Sequence, residues 1–192
     1  KIVGRRGLST QVISGIDIAL WDLMGKAVDK SVHKLLGAYT DRIPTYVAGG
    51  YYEEGKGLDQ LAAEMDESVS MGARAIKMKI GGAPINEDVE RVRVVREAVG
   101  PDIKVMVDAN CAYRHYEAIT IARKMEQYDI FWFEEPVNPD DYEGHKLISQ
   151  CLLYLWKFFT WTGSRWTGVG MSCKPMVAGE LTGLPGVVQV VI

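Results

Sequence analysis

An α/β fold on a parallel sheet is what this sequence predicts, and three observations predict it. Short apolar runs over residues 73–80, 103–107 and 130–133 have the length and composition of buried strands. Amphipathic segments at helical spacing separate them, so strand and helix alternate strictly. The runs close on polar groups: Lys77-Met78-Lys79, Asp108-Ala109-Asn110 and Glu134-Glu135-Pro136. Charges gathered at the ends of successive buried strands are what an α/β barrel uses to build a site at one mouth.

The elements follow in order. Residues 9–37 read as helix, with Ser9 or Thr10 to cap the start and Ile13, Ile16, Ala19, Leu20, Leu23 and Ala27 at helical spacing. Gly37 is the expected stop. From residue 43 the rhythm changes. Residues 43–48 read as a strand and 58–70 as a helix with Leu61, Ala62, Met65 and Val69 on one face. Residues 73–80 are a strand, and 86–99 a helix capped by Asn86 with Val89, Val92, Val95 and Ala98 inside. Strand 103–107, helix 116–127, strand 130–133 and helix 142–150 complete four β/α units of about 30 residues each. Right-handed crossovers are the rule for such units.

The chain has 192 residues, and a complete (β/α)8 barrel needs roughly 250, so a partial barrel is expected. Four units leave two open sheet edges. The formal net charge of −3 gives no case for nucleic acid or an anionic membrane as partner. No apolar run approaches the roughly 18 residues of a membrane span. The basic start, residues 1–6, lacks the apolar stretch of a signal peptide. The missing initiator Met suggests a start within a longer gene. Cys111, Cys151 and Cys173 have no metal-type spacing. They read as inert thiols of a reducing, cytoplasmic setting.

The last 42 residues break the pattern. Residues 1–150 hold 43 charged residues and 151–192 only four, while Trp156, Trp161 and Trp166 crowd together. No helical or alternating period runs through residues 160–176. One reading is a hydrophobic segment covered by a partner. The other, given more weight, is a barrel continuation translated out of frame. The codons of residues 172–179 permit, in a shifted frame, another strand ending in Asp and a Gly-rich turn.

The chemistry sits at the strand ends. Lys77 and Lys79, two apart on a strand, point to the same side. Neighbouring ammonium groups depress one another's pKa, which prepares one as a base near neutrality. Two surface lysines on an edge strand are the bland alternative, against which Ile76, Met78 and Ile80 argue. Asp108 and Glu134, 26 residues apart at successive strand ends, supply the carboxylate oxygens that Mg2+ selects. Helix capping would suit Asp108 in part, but not a Glu behind Phe131-Trp132-Phe133. Asn110 points the same way as Asp108 and could orient substrate or a metal-bound water. His33 and His145 read as a solvated and a structural histidine, and His115 as an outside candidate for the mouth. Gly81-Gly82 is a turn, because no helix-opening Gly-x-x-Gly-Lys follows.

With these residues the chain resembles the enolase superfamily, in particular the mandelate racemase/muconate lactonizing enzyme family. The matching motifs are Gly15-Ile16-Asp17-Ile18-Ala19-Leu20-Trp21-Asp22 with Gly25-Lys26, then Lys77-Met78-Lys79, Asp108-Ala109-Asn110, and Glu134-Glu135-Pro136 with Asp141-Tyr142-Glu143-Gly144-His145. The resemblance implies a TIM-type barrel over residues 41–150, preceded by the last helical part of an N-terminal capping domain over 1–40. It implies a Mg2+-dependent enzyme that removes the proton α to a carboxylate. The substrate would be a small acid sugar or α-hydroxyacid, and the reaction dehydration or racemisation. Lys79 would be the base, Lys77 the group that neutralises the substrate carboxylate, and Asp108 and Glu134 the first two metal ligands. Glu135, where dipeptide epimerases usually carry Gln, favours racemases and acid-sugar dehydratases. It and Asn110 would support the ligands or touch substrate. A full-length parent would be a homo-oligomer.

The departures are a missing third acidic ligand, expected near Thr160, and a missing opposing acid/base. Val177-Ala178-Gly179-Glu180 imitates a ligand strand but sits some twenty residues late. The four-unit chain is therefore expected to be nearly inactive. The alternatives are a non-catalytic remnant and a dipeptide epimerase.

Overall fold

The computed structural model describes residues 7–152, 158–161, 166–169 and 188–190, the last three as backbone strands. The chain divides into two compact units, residues 1–43 and 44–192. No helix among the described residues is long and apolar enough to cross a membrane.

In the first unit the helix expected over 9–37 is two helices, α1 (Leu8–Ala27) and α2 (Val32–Leu35). Gly7, not Ser9 or Thr10, occupies the N-cap. The break falls at Asp29, whose φ of 50° is left-handed, while Lys30 N–H donates to the Gly25 carbonyl at 2.9 Å. A Cβ at Gly25 would lie 2.7 Å from the Lys30 oxygen, so the reversal needs a glycine there. Gly37, at φ 101°, follows the end of α2 as expected.

The second unit alternates β1 (Thr45–Gly49), α3 (Leu58–Ser70), β2 (Ala75–Lys79), α4 (Ile85–Val99), β3 (Lys104–Asp108), α5 (His115–Met125), β4 (Ile130–Glu134) and α6 (Tyr142–Cys151). The four strands pair in parallel in sequence order. This is the succession of β/α units of a (β/α)8 barrel. The α4 start differs from expectation: Pro84 is the N-cap, and Asn86 lies inside the first turn. Pro presets the backbone there and supplies the carbonyl that Glu87 and Asp88 N–H bond at 2.8 and 3.0 Å.

The two faces of the sheet divide the apolar residues by period-2 alternation. Ile76, Met78, Val105, Val107 and Phe133 pack with Leu61, Met65, Val92, Val95, Ile121 and Ile148 in the large core under the helices. Tyr46, Ala75, Met106 and Trp132 form a smaller cluster. They sit on the strand positions that alternate with the helix-facing ones.

The described sheet keeps two ends, as expected of a partial barrel, but the last strands extend it past β1 and β4. β5 (Phe158–Trp161) adds in parallel to β4, and β6 (Trp166–Val169) pairs antiparallel with β5. β7 (Val188–Val190) pairs antiparallel with the free edge of β1. Aromatic and β-branched residues give these short segments the strand preference that outweighs their lack of periodicity, and unpaired edge groups are their template. The out-of-frame reading, at residues 172–179, lies outside the described residues, as do Cys173 and Glu180.

Candidate active site

Backbone register alone lines up the site. Lys79 pairs with Asp108 and Asp108 with Glu134, so the last residues of β2, β3 and β4 stand in one row. Lys77 lies two residues earlier on the same side of β2. Its Nζ is 2.9 Å from Glu134 Oε2 and 3.3 Å from Asp108 Oδ2. Lys79 Nζ donates to Asp108 Oδ2 and to Asn110 Oδ1, each at 2.7 Å. Both lysines, both carboxylates and Asn110 therefore converge. Glu135 joins more loosely, accepting from Asn110 Nδ2 at 3.4 Å. Lys77, Asp108 and Glu134 are all at most 4% exposed, whereas 20% of the Lys79 side chain is open to solvent. Tyr46 packs edge-on to Trp132 at 5.4 Å and lies under the Lys77 ammonium, 5.1 Å from its ring centre.

Electrostatics here corrects one expectation. Burial pulls the Lys77 pKa down, but the Glu134 hydrogen bond and the charges of Glu134 and Asp108 outweigh it, and the net shift is upward. Mutual depression by two ammonium groups does not govern Lys77, because the carboxylates of Glu134 and Asp108 raise it. Burial raises the Glu134 carboxyl; Lys77 lowers it and Asp108 raises it again, and the net shift is upward from its ordinary value. Lys77 is shared between both carboxylates, while Lys79 adds a second cation to Asp108 alone.

Three residues with side chains hold left-handed backbone beside the site: Asn110 (φ 45°), Cys111 (φ 64°) and Glu135 (φ 45°). Such conformations cost of order 1–3 kcal/mol each and persist where surroundings over-determine them. The surroundings are visible. Asn110 N–H donates to Asp108 Oδ1 at 3.0 Å, Ala109 N–H to the Glu134 carbonyl at 3.0 Å, and Cys111 N–H to the Glu135 carbonyl at 2.8 Å. Burial, with help from the Glu135 and Asp108 charges, pushes the Cys111 thiol up to about 11. It is therefore a neutral thiol, not a nucleophile.

A cavity of about 570 Å3 opens beside Lys79, walled by Tyr51, Tyr52, Gly81, Gly82 and Asn110. Lys79 Nζ stands 5.9 Å from the Tyr51 ring centre. The tyrosine pair was not picked out in the sequence, though its place just after the first strand and Gly49-Gly50 is a usable signal. His115 opens α5 against Tyr116 and is not brought to the site; within the first unit His33 bonds Ser31 and Asp41. His145 is half-buried, and burial lowers its pKa.

The donor set bears on a metal. Among the described residues no group of three His, Cys, Asp or Glu side chains could hold an ion. The β5 residue in register with Glu134 is Phe159, so that row carries no third carboxylate. What is present is a pair of buried carboxylates focused on one cationic point, where the Lys77 ammonium stands in. Mg2+ is commonly held by one or two carboxylates, with water and substrate oxygens completing an octahedron. The two donors fit that ion.

The chain is similar to known proteins. Two family models match: "Mandelate racemase / muconate lactonizing enzyme, N-terminal domain" over residues 3–37 and "Enolase C-terminal domain-like" over residues 60–154. Arabinonate dehydratase of Saccharolobus solfataricus is 46% identical over 137 residues, covering 71% of this chain and 37% of that protein. L-talarate/galactarate dehydratase of Salmonella typhimurium is 41% identical over 151 residues, covering 78% and 37%. The crystal structure of L-talarate dehydratase from Polaromonas sp. JS666, complexed with Mg and L-glucarate, superposes with a TM-score of 0.68 at 36% identity, covering 81% of this chain and 42% of that one. The chain thus spans less than half the length of these relatives.

Proposed function

We propose that this chain, which belongs to the mandelate racemase/muconate lactonizing enzyme family of the enolase superfamily, carries the proton-abstracting half of an acid-sugar dehydratase or α-hydroxyacid racemase site. The observation that carries the reading is the row Lys79–Asp108–Glu134 with Lys77 inside it. Asp108 and Glu134 would hold Mg2+, which when bound polarises the substrate carboxylate and makes its α-proton more acidic.

The chain's own groups supply the rest. Lys79, the more exposed amine, faces the cavity and is placed to take the proton at Nζ. Nζ can accept that proton only as a neutral amine, so the ammonium must first give up one of its own protons to water in the cavity, while its remaining N–H groups keep Asp108 and Asn110 as acceptors. Lys77 is walled in and stays charged, so it suits neutralising a substrate carboxylate and not exchanging protons. Asn110 turns one amide oxygen to Lys79 and its amide nitrogen to Glu135, which fixes both neighbours. Charge develops on the carboxylate oxygens as the proton leaves, and preorganised cations there are worth most in a buried setting.

Acid sugars are favoured as substrates by the names of the relatives at 41–46% identity. Glu135 weighs against the dipeptide-epimerase alternative. The test is deuterium exchange at the α-carbon of a panel of acid sugars and α-hydroxyacids in D2O with Mg2+. With two carboxylates alone the exchange is expected to be slow, and to disappear in Lys79→Ala. Exchange that survives Lys79→Ala overturns the base assignment. No exchange from any panel member supports the remnant alternative.

A further inference from the structure

We propose that Asp88 is a positioning residue for Lys79 and Asn110. Its carboxylate lies on α4, outside the row of charges, and is fully buried. A buried carboxylate is costly unless it is hydrogen-bonded and paired. Among the described residues, its hydrogen-bond partners outside its own helix belong to loops at the open end of the sheet. Gly81 N–H donates to Oδ2 at 2.8 Å and Tyr113 OH donates to Oδ2 at 3.1 Å, while Tyr52 OH donates to Oδ1. Tyr52 OH in turn accepts from Gly82 N–H at 3.1 Å. Arg91, one turn along α4, has its Nε 3.9 Å from Oδ1, donates to the Gly50 carbonyl at 2.8 Å and lies over the Tyr52 ring at 4.1 Å.

A single carboxylate thereby ties the β1–α3, β2–α4 and β3–α5 loops to one point. Gly81 is two residues after Lys79, and Tyr113 three after Asn110. The turn has no slack: Gly81 has φ 89°, and a Cβ on it would meet the Ala112 Cβ at 2.6 Å. Freeing either tether lets the turn after β2 or the loop after β3 shift over strand ends that stay paired, and the 2.7 Å contact from the Lys79 side chain to Asn110 in that loop loosens. Tyr52, Gly81 and Gly82 also wall the cavity beside Lys79. Asp88 would act on the reaction through this wall and this contact, without touching substrate.

The inference rests on the reading that Lys79 and Asn110 face the substrate, but its test does not need turnover. The whole chain is labelled with a limiting amount of acetic anhydride well below its unfolding temperature. Acetylation of Lys79 is measured by mass spectrometry against exposed Lys34, with Lys104, at the opposite end of β3, as internal control. Asp88→Asn removes the charge at nearly constant shape. Tyr113→Phe removes a single donor and keeps the test open should the first variant fail to fold. The expected result is a several-fold rise in the Lys79 to Lys34 ratio in both variants, with Lys104 unchanged. An unchanged ratio with a lowered Tm reduces Asp88 to a structural staple and overturns the proposal; a parallel rise at Lys104 means general loosening and overturns it too. Labelling reports the hold on the amine whether or not Lys79 removes a proton, so deuterium exchange and labelling fail independently.

Discussion

Lys77→Met removes the ammonium that stands 2.9 Å from Glu134 and 3.3 Å from Asp108 and leaves two carboxylates, each at most 4% exposed, facing one another. Methionine has a similar length and suits the neighbouring Tyr46, Met106 and Trp132, so little packing is lost. The cost is electrostatic and falls on Glu134, because Asp108 keeps Lys79 at 2.7 Å. Removing one partner of a buried ion pair destabilises by about 3–5 kcal/mol, because the remaining charge is uncompensated. For a chain of this size that corresponds to a fall in Tm of about 6–20 °C. Mg2+ should return much of it: a cation between the carboxylates replaces the lost ammonium, and a ligand at a hundred times its Kd stabilises by about 2.7 kcal/mol. Thermal unfolding in EDTA and in excess Mg2+, for wild type and variant, reads both quantities. The variant should be less stable than wild type in EDTA and gain more from Mg2+. Equal stability in EDTA would refute the argument, since it would mean that Glu134 does not depend on Lys77.

Two further outcomes are expected. Burial holds His145 below its ordinary pKa of about 6.5, so the unfolded chain binds the proton more readily. Its contribution is present above the unfolded value and is lost as pH falls through it toward the folded pKa; Tm measured from pH 7.5 to 5 should drop more in wild type than in His145→Gln. Ile121→Ala, at a fully buried position of α5 in the core beneath the helices, should cost about 2–5 kcal/mol in urea unfolding without changing the Mg2+ response.

The sequence carried the alternating part of the fold because its signals are local. Ile76 and Met78 flanking Lys77, or Val105 and Val107 flanking Met106, announce a two-sided strand by composition. The row Lys79–Asp108–Glu134 was legible for the same reason: each residue ends an apolar run, and parallel pairing in order brings such ends together. Boundaries were less legible. The α1 break depends on a close approach of Lys30 to Gly25, and the α4 start on a proline carbonyl, neither of which alters hydrophobic period. Asp88 was invisible because its partners, Tyr52, Gly81 and Tyr113, lie up to 36 residues away. An acid near a helix start reads as ordinary dipole complementarity. The last strands were missed because pairing with existing edges, not a period of their own, specifies them.

The backbone ladder does not stop where the strands end. Ile80 N–H bonds the Asp108 carbonyl at 3.0 Å, Ala109 N–H the Glu134 carbonyl at 3.0 Å, Cys111 N–H the Glu135 carbonyl at 2.8 Å and Tyr113 N–H the Pro136 carbonyl at 3.2 Å. The amides bracketing Asn110 are thus held as the sheet holds its own, where loop tips usually exchange freely. In hydrogen–deuterium exchange, Ile80, Ala109 and Cys111 should report opening free energies close to those of β2 and β3, far above those of exposed turns. The main chain that carries the lysine–carboxylate constellation then opens only when the strands beneath it open, whatever the side chains do. Ligand binding here would have little loose backbone left to freeze.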